Sequence, residues 1–148
     1  PVPIVYVVDG DTFVVDLDGV EETVRMQGVD SRELHPDPEG SPPEECAVTA
    51  KEYTENIIGL QVDLVPDSEC ADGPITNCRE YYGRLLTYVR LADCSDMGAR
   101  LLKVGLAEVY TNAQFDRKSS YLDLQEEAED AGVGLFGPGC PDEATQPQ

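Results

Sequence analysis

The sequence predicts an α+β protein with five short strands, helices inserted after the third and the fifth, and a helix that closes the chain. Three observations carry this. Leu60 to Val65 alternates apolar and polar residues, with Gln61 and Asp63 pointing outward, as a half-buried strand does. Other stretches repeat apolar residues at three- and four-residue intervals, as amphipathic helices do. The 148 residues hold no internal repeat and suffice for the core of one domain. Alternation alone specifies only an antiparallel sheet; elements in this order suit a five-stranded Greek-key β-barrel of the OB type with three helices.

Ile4 to Val8 reads as the first strand. Phe13 to Leu17 follows, with Phe13, Val15 and Leu17 on one face, and Asp16-Leu17-Asp18-Gly19 supplies the turn of a hairpin that returns as Thr23 to Val29. Leu34 to Pro43, rich in Pro, Asp and Gly, is an exposed loop containing the one histidine, His35. Ser41-Pro42-Pro43-Glu44 has the form of a helix start: the serine caps, and the glutamate three residues on reaches back. Ala47, Ala50, Tyr53 (or Thr54) and Ile57 then recur at helical spacing until Gly59 stops the helix.

Leu60 to Val65 is the fourth strand, Asp67 to Glu80 an irregular segment, and Arg84 to Leu91 the fifth strand, entered through Tyr81-Tyr82-Gly83. Ser95 caps a short helix that packs through Leu101 and Val104 and ends at Gly105. Ala107 to Tyr110 adds a short extended piece. Ser119 or Ser120 opens the third helix, whose apolar stripe is Tyr121, Leu124, Ala128 and Ala131, and Gly132 stops it. The chain thus divides into a domain over residues 1–137 and a Pro-, Gly- and polar-rich tail over residues 138–148.

A hairpin folded at Asp18-Gly19 brings its two ends together. It gathers Asp11, from Asp9-Gly10-Asp11, beside Asp30 and Glu33, from Asp30-Ser31-Arg32-Glu33, with Arg25 on the adjoining strand. Carboxylates so gathered repel and raise one another's pKa, a cost that a divalent cation removes. Taken singly, each motif has a plainer reading. Asp9-Gly10-Asp11 makes a turn, Arg25 and Glu33 form a surface ion pair of little energy, and Arg84 faces solvent at a strand entry.

In order along the chain, Val8-Asp9-Gly10-Asp11-Thr12, Arg25, Val29-Asp30-Ser31-Arg32-Glu33, Tyr82-Gly83-Arg84 and Gly105-Leu106-Ala107 resemble the thermonuclease, or staphylococcal-nuclease-like, family. The resemblance runs from Ile4 to about Gly137 and implies the same OB-type barrel. It also implies a Ca²⁺-dependent endonuclease acting on DNA and RNA with little sequence preference, leaving 5′-hydroxyl and 3′-phosphate ends. By the same resemblance, Asp11, Asp30 and the backbone carbonyl of Ser31 ligate the metal, Glu33 is the general base, and Arg25 and Arg84 clamp the phosphate. The residue types suit these roles: Ca²⁺ takes hard oxygen ligands, and guanidinium donates parallel hydrogen bonds while staying charged.

This chain departs from the family in three places. Tyr81 stands where the type member has lysine. The tyrosines that pack the nucleobase are matched by Thr111 and Ala113, with Tyr110 shifted in register. The Asp67–Glu80 segment is longer than the matching loop.

The formal charge is −20, from 30 acidic residues against 3 lysines and 7 arginines. No single tail holds the acids, so a strongly solvated surface, as in a protein of saline surroundings, is the expected meaning. Such a chain repels DNA at low salt, and a nuclease of this charge needs only a local basic patch at its cleft.

Five cysteines fit an oxidising compartment and leave one unpaired in a monomer. Cys70 and Cys78 bracket what reads as a stapled loop; the resemblance adds a bridge between Cys46 and Cys140, leaving Cys94. Zinc has less support, since there is no Cys-x-x-Cys pair. No apolar run approaches a bilayer span and no charged-then-apolar leader is present, so a secreted or extracytoplasmic monomer, in mature form or cut from a longer chain, is expected. Two rival readings remain: a non-catalytic nucleic-acid- or protein-binding module of the same family, and a Ca²⁺-binding structural domain without turnover.

Overall fold

A short two-residue turn sets the register of the barrel. Asp18 and Gly19 both take positive φ, 53° and 88°, the conformation that matches the twist of the flanking strands. The Gly19 amide donates to Asp16 Oδ1 at 2.8 Å. This turn joins β2 (Thr12–Leu17) to β3 (Val20–Met26), and β1 (Val2–Asp9) pairs antiparallel with β2 on its other side. The computed structural model describes residues 1–140. With β5 (Gln61–Val65) and β6 (Leu85–Arg90), these strands close a barrel in the order β1-β2-β3-β6-β5. All pairings in it are antiparallel except β3 with β6. The α+β barrel with three helices is therefore present as expected. Phe13, Val15, Val24, Leu85 and Val89 fill its interior, each at most 1 % exposed.

The third strand begins and ends three residues earlier than expected. It ends at Met26, and Val29–Ser31 forms a separate strand, β4, that pairs with β7 (Ala107–Val109) so that Asp30 opposes Glu108. Gly28 makes the break. Its φ is +79°, and a Cβ there would lie 2.3 Å from the Phe115 ring. The Gln27 amide turns away to the Thr87 carbonyl at 2.8 Å.

The first helix begins later than the Ser41 cap predicts. α1 runs Ala47–Ile58 behind Cys46, which has φ 68° and is disulfide-bonded to Cys140. Ser41 and Pro42 each precede a proline, which disfavours helical backbone. Glu44 instead meets Glu33: its amide donates to the Glu33 carbonyl at 3.0 Å, and its Oε1 accepts from the Glu33 amide at 2.6 Å. The buried face of α1 is Ala47, Ala50, Thr54 and Ile58, with Tyr53 and Ile57 only partly buried.

α2 (Met97–Lys103) is capped by Asp96, which accepts from the Ala99 amide at 3.2 Å. Ser95, expected in that role, turns its hydroxyl to Asp93. α3 (Lys118–Ala131) starts just ahead of the predicted serines. Tyr121 and Ala128 are buried and Leu124 half-buried, whereas Ala131 is exposed. The Cys70–Cys78 disulfide closes a segment of two 3-10 turns, and Cys94 is exposed and free. Of the expected tail, Cys140 is buried; residues 141–148 lie outside the described residues. Among the described residues no helix is long and apolar enough to cross a membrane.

Candidate active site

The connection between β1 and β2 is clamped against α1. Thr54 Oγ1 donates to the Gly10 carbonyl at 2.7 Å, and a Cβ on Gly10 would lie 2.8 Å from Ala50 Cβ and 2.9 Å from Ser31 Oγ. That close approach turns the Asp11 carboxylate inward, leaving the residue 4 % exposed. Asp11 Oδ1 accepts from the Thr12 hydroxyl at 2.7 Å, and Oδ2 accepts from the Ser31 amide at 2.8 Å.

Arg25 stands opposite Thr12 in the β2–β3 ladder. Its Nη1 lies 3.3 Å from Asp11 Oδ2 and donates to the Met26 and Val29 carbonyls; its Nη2 lies 3.3 Å from Asp30 Oδ1. One guanidinium therefore joins the hairpin's two ends, as the fold at Asp18-Gly19 requires.

Glu33 lies two residues beyond the end of β4, exposed, with its backbone held by Glu44. Burial, then the charges of Asp11 and Asp30, push its carboxyl above the usual range, with Arg25 opposing. Asp30 is likewise pushed up by burial against the pull of Arg25. Asp9 is pushed up to about 8, by burial first and then by neighbouring Asp11. Arg32 gives this cluster little relief because it pairs with Glu108 on β7 at 2.7 Å.

Arg84 enters β6 from the other side of a cleft of about 360 Å³. Arg25 and Arg84 line that cleft together with Tyr81, Tyr82, Tyr110 and Phe115. Tyr81 and Tyr82 are 94 % and 80 % exposed and meet edge to face at 5.2 Å. Ala113 also lines the cleft; Thr111 instead gives its carbonyl to Lys118. Aromatic rings thus reach the cleft from Tyr81, Tyr82, Tyr110 and Phe115, while of the two positions the resemblance matched to base-packing tyrosines only Ala113 lines it.

Two participants escaped the sequence reading. Asp9 looked like half of a turn, although its two-residue spacing from Asp11 was the available signal. Glu80 takes the Arg84 guanidinium, and its four-residue spacing reads as helical in a segment that forms no helix.

Among the described residues, no group of three histidine, cysteine or acidic side chains is arranged to hold an ion by itself. The donor set nevertheless suits a hard cation. Asp11 and Asp30 each lie 3.3 Å from Arg25, Asp9 and Glu33 feel the charge of Asp11, and the Ser31 hydroxyl is buried without a hydrogen-bond partner among the described residues. Carbonyls and waters can complete such a shell for Ca²⁺.

The profile of the family described as "Staphylococcal nuclease homologue" matches residues 23–137. A thermonuclease of Staphylococcus intermedius is 36 % identical over 104 residues, covering 68 % of this chain and 54 % of that protein. A thermonuclease of Staphylococcus hyicus is 33 % identical over 106 residues, covering 70 % and 56 %. An uncharacterized protein of Methanocaldococcus jannaschii is 29 % identical over 151 residues, covering 90 % and 70 %. The chain spans little more than half the length of the two thermonucleases. The profile match takes in Arg25, Asp30, Glu33 and Arg84, the end of β3, β5, β6 and all three helices, leaving β1, β2 and Asp11 outside it, and because it spans well over half of the chain the chain belongs to the staphylococcal nuclease homologue family.

Proposed function

We propose that the protein is a Ca²⁺-dependent endonuclease that hydrolyses phosphodiester bonds of DNA and RNA with little sequence preference, giving 5′-hydroxyl and 3′-phosphate ends. The observation that carries this reading is the placement of Arg25, bound to Asp11 and Asp30 and lining one cleft with Arg84.

A phosphodiester is anionic and resists attack by an oxygen nucleophile, so the site must neutralise it and supply a base. Arg25 and Arg84 bind the phosphate oxygens and stabilise the charge that grows on them. Glu33, exposed beyond the end of β4, takes a proton from the attacking water. The water oxygen bonds to phosphorus, the bond from phosphorus to O5′ breaks, and O5′ takes a proton from solvent water as it leaves. Asp11, Asp30 and the Ser31 carbonyl would hold Ca²⁺, which supplies positive charge against the phosphate. Tyr81, Tyr82 and Tyr110 offer ring faces to bases, worth about 1–3 kcal/mol each. The nuclease domain is residues 1–137, and the two disulfides fit a secreted, monomeric enzyme.

A non-catalytic binding module is the second reading. It draws on Asp11 and Asp30 lending oxygens to Arg25 in a site where no ion-holding trio stands ready among the described residues.

Cleavage of single-stranded DNA with Ca²⁺ and with chelator separates the two. The nuclease cuts only with Ca²⁺, and Glu33→Gln lowers its rate roughly 10²–10⁴-fold with the fold intact. Folded protein that cuts nothing under either condition overturns the nuclease reading.

A further inference from the structure

Arg84 is held by a carboxylate in the way a phosphate would hold it. Glu80 Oε1 accepts from Arg84 Nε at 3.1 Å and from the Arg84 amide at 2.9 Å, and Oε2 accepts from Nη2 at 3.4 Å. Burial works to raise Glu80's pKa, but the hydrogen bonds from Arg84 outweigh it and hold the carboxyl below its usual range. Nη1 has no hydrogen bond among the described residues, and Arg84 lines the cleft.

The turn beneath this pair is strongly tied. The Glu80 amide donates to the Arg84 carbonyl and the Gly83 amide to the Glu80 carbonyl, both at 2.9 Å. Next to Glu80, Arg79 donates to the Thr76 and Gly83 carbonyls, each at 2.8 Å, and forks onto Glu22 of β3 at 3.1 and 2.6 Å. Arg79 therefore links the disulfide-closed segment, the turn and the barrel wall.

We propose that Glu80 is a positioning residue for Arg84, with the Cys70–Cys78 segment and Arg79 as its mount. Glu80 occupies the inner edge of the guanidinium and leaves the Nη1 side for the phosphate. This rests on the nuclease reading above. A guanidinium on a four-torsion stem loses rotational freedom when it binds; one already forked onto a carboxylate has lost it beforehand. The long Asp67–Glu80 segment thereby acquires a purpose: it delivers the residue that aims a phosphate-binding arginine.

The test compares kcat and KM on single-stranded DNA with Ca²⁺ for wild type, Glu80→Gln, Glu80→Ala, Arg84→Ala and the Glu80→Ala/Arg84→Ala double variant, with a melting curve for each. Glu80→Ala is expected to lower kcat about a hundredfold with KM little changed, the cost of a misaimed catalytic contact. Glu80→Gln keeps one oxygen for the Arg84 amide and Nε and falls in between. The double variant is expected to be no slower than Arg84→Ala. A purely structural Glu80 would slow the Arg84→Ala background further, and a Glu80 that merely repels substrate would give a lower KM and an unreduced kcat on removal. Either result overturns the proposal.

If Glu80→Ala melts too low to assay, Glu80→Gln decides, with undiminished kcat counting against the proposal. A readout independent of cleavage is the Arg84 Nε–H NMR signal, followed as a single-stranded oligonucleotide is added with Ca²⁺. It is expected to be sharp and to shift in wild type, and to be broadened in Glu80→Ala. Equal signals in both overturn the proposal. Wild type that cuts nothing refutes the nuclease reading alone, because the NMR comparison still judges Glu80.

Discussion

Gly10 shows how tightly single residues set the candidate site. It sits between Ala50 on α1 and Ser31 on β4, with space for hydrogen only. Gly10→Ala pushes the Asp9–Asp11 segment off the helix, because the nearest atoms are Cβ atoms and a short side chain that cannot swing clear. Overpacking of this kind costs about 1–3 kcal/mol, so the melting temperature is expected to fall by roughly 2–12 °C, with nuclease rate falling alongside. A melting temperature equal to wild type would mean the loop gives way without cost. Asp11, Arg25 and Asp30 were legible as neighbours because a two-residue turn leaves a hairpin no other way to fold. Gly10's crowding was not, since it depends on where α1 docks, and neither was the grip of Glu80 on Arg84, which depends on a turn without a pattern of its own.

At the scale of elements, a chain of polar contacts joins the irregular segment, β6, α2 and α3. Buried Asp67 accepts from the Tyr88 hydroxyl and, at 2.8 Å, from the Asp116 amide. Arg117 lies 4.0 Å over the Tyr88 ring and reaches Asp96 at 2.8 Å, and Asp96 also accepts from the Tyr121 hydroxyl at 2.6 Å. Burial, aided by Asp67 and Asp96 respectively, pushes both tyrosine hydroxyls well above their usual range, so they remain donors. Tyr88→Phe keeps the ring and removes one donor to a buried carboxylate, at a cost of about 1–3 kcal/mol. Urea unfolding measures it, and an unchanged midpoint would show that Asp67 is satisfied by the Asp116 amide alone. The Cys46–Cys140 bridge closes a span of 94 positions; Cys46→Ser with Cys140→Ser is expected to cost roughly 2–5 kcal/mol in the same assay. Apolar spacing revealed all three helices. Their starts were misplaced because α1 begins behind a disulfide-bonded residue and two prolines, and α3 begins without a side-chain cap.

The whole molecule carries a charge at odds with its proposed substrate. The pattern of strands and helices by itself indicates only an antiparallel α+β protein and the family resemblance was needed to anticipate the barrel, whereas the site's electrostatics emerge only once the chain is folded. The cleft's arginines are heavily committed, Arg25 to Asp11 and Asp30, Arg84 to Glu80. Long-range attraction is thus missing, and with a formal charge of −20 approach to DNA at low salt is uphill. Binding must come from short-range contacts: a phosphate between the two arginines and bases on exposed Tyr81 and Tyr82. Salt weakens the first modestly, since few counterions are released, leaves stacking nearly untouched, and removes the repulsion, because the screening length falls to about 3 Å near 1 M. Cleavage of single-stranded DNA is therefore expected to hold or rise between 0.1 and 1 M NaCl, where an enzyme relying on 6–10 phosphate contacts loses orders of magnitude. In Tyr81→Ala the loss should appear in KM and persist in molar salt, as stacking does. A steep fall in wild-type rate with salt would instead mean that phosphate attraction dominates and that the aromatic wall contributes little.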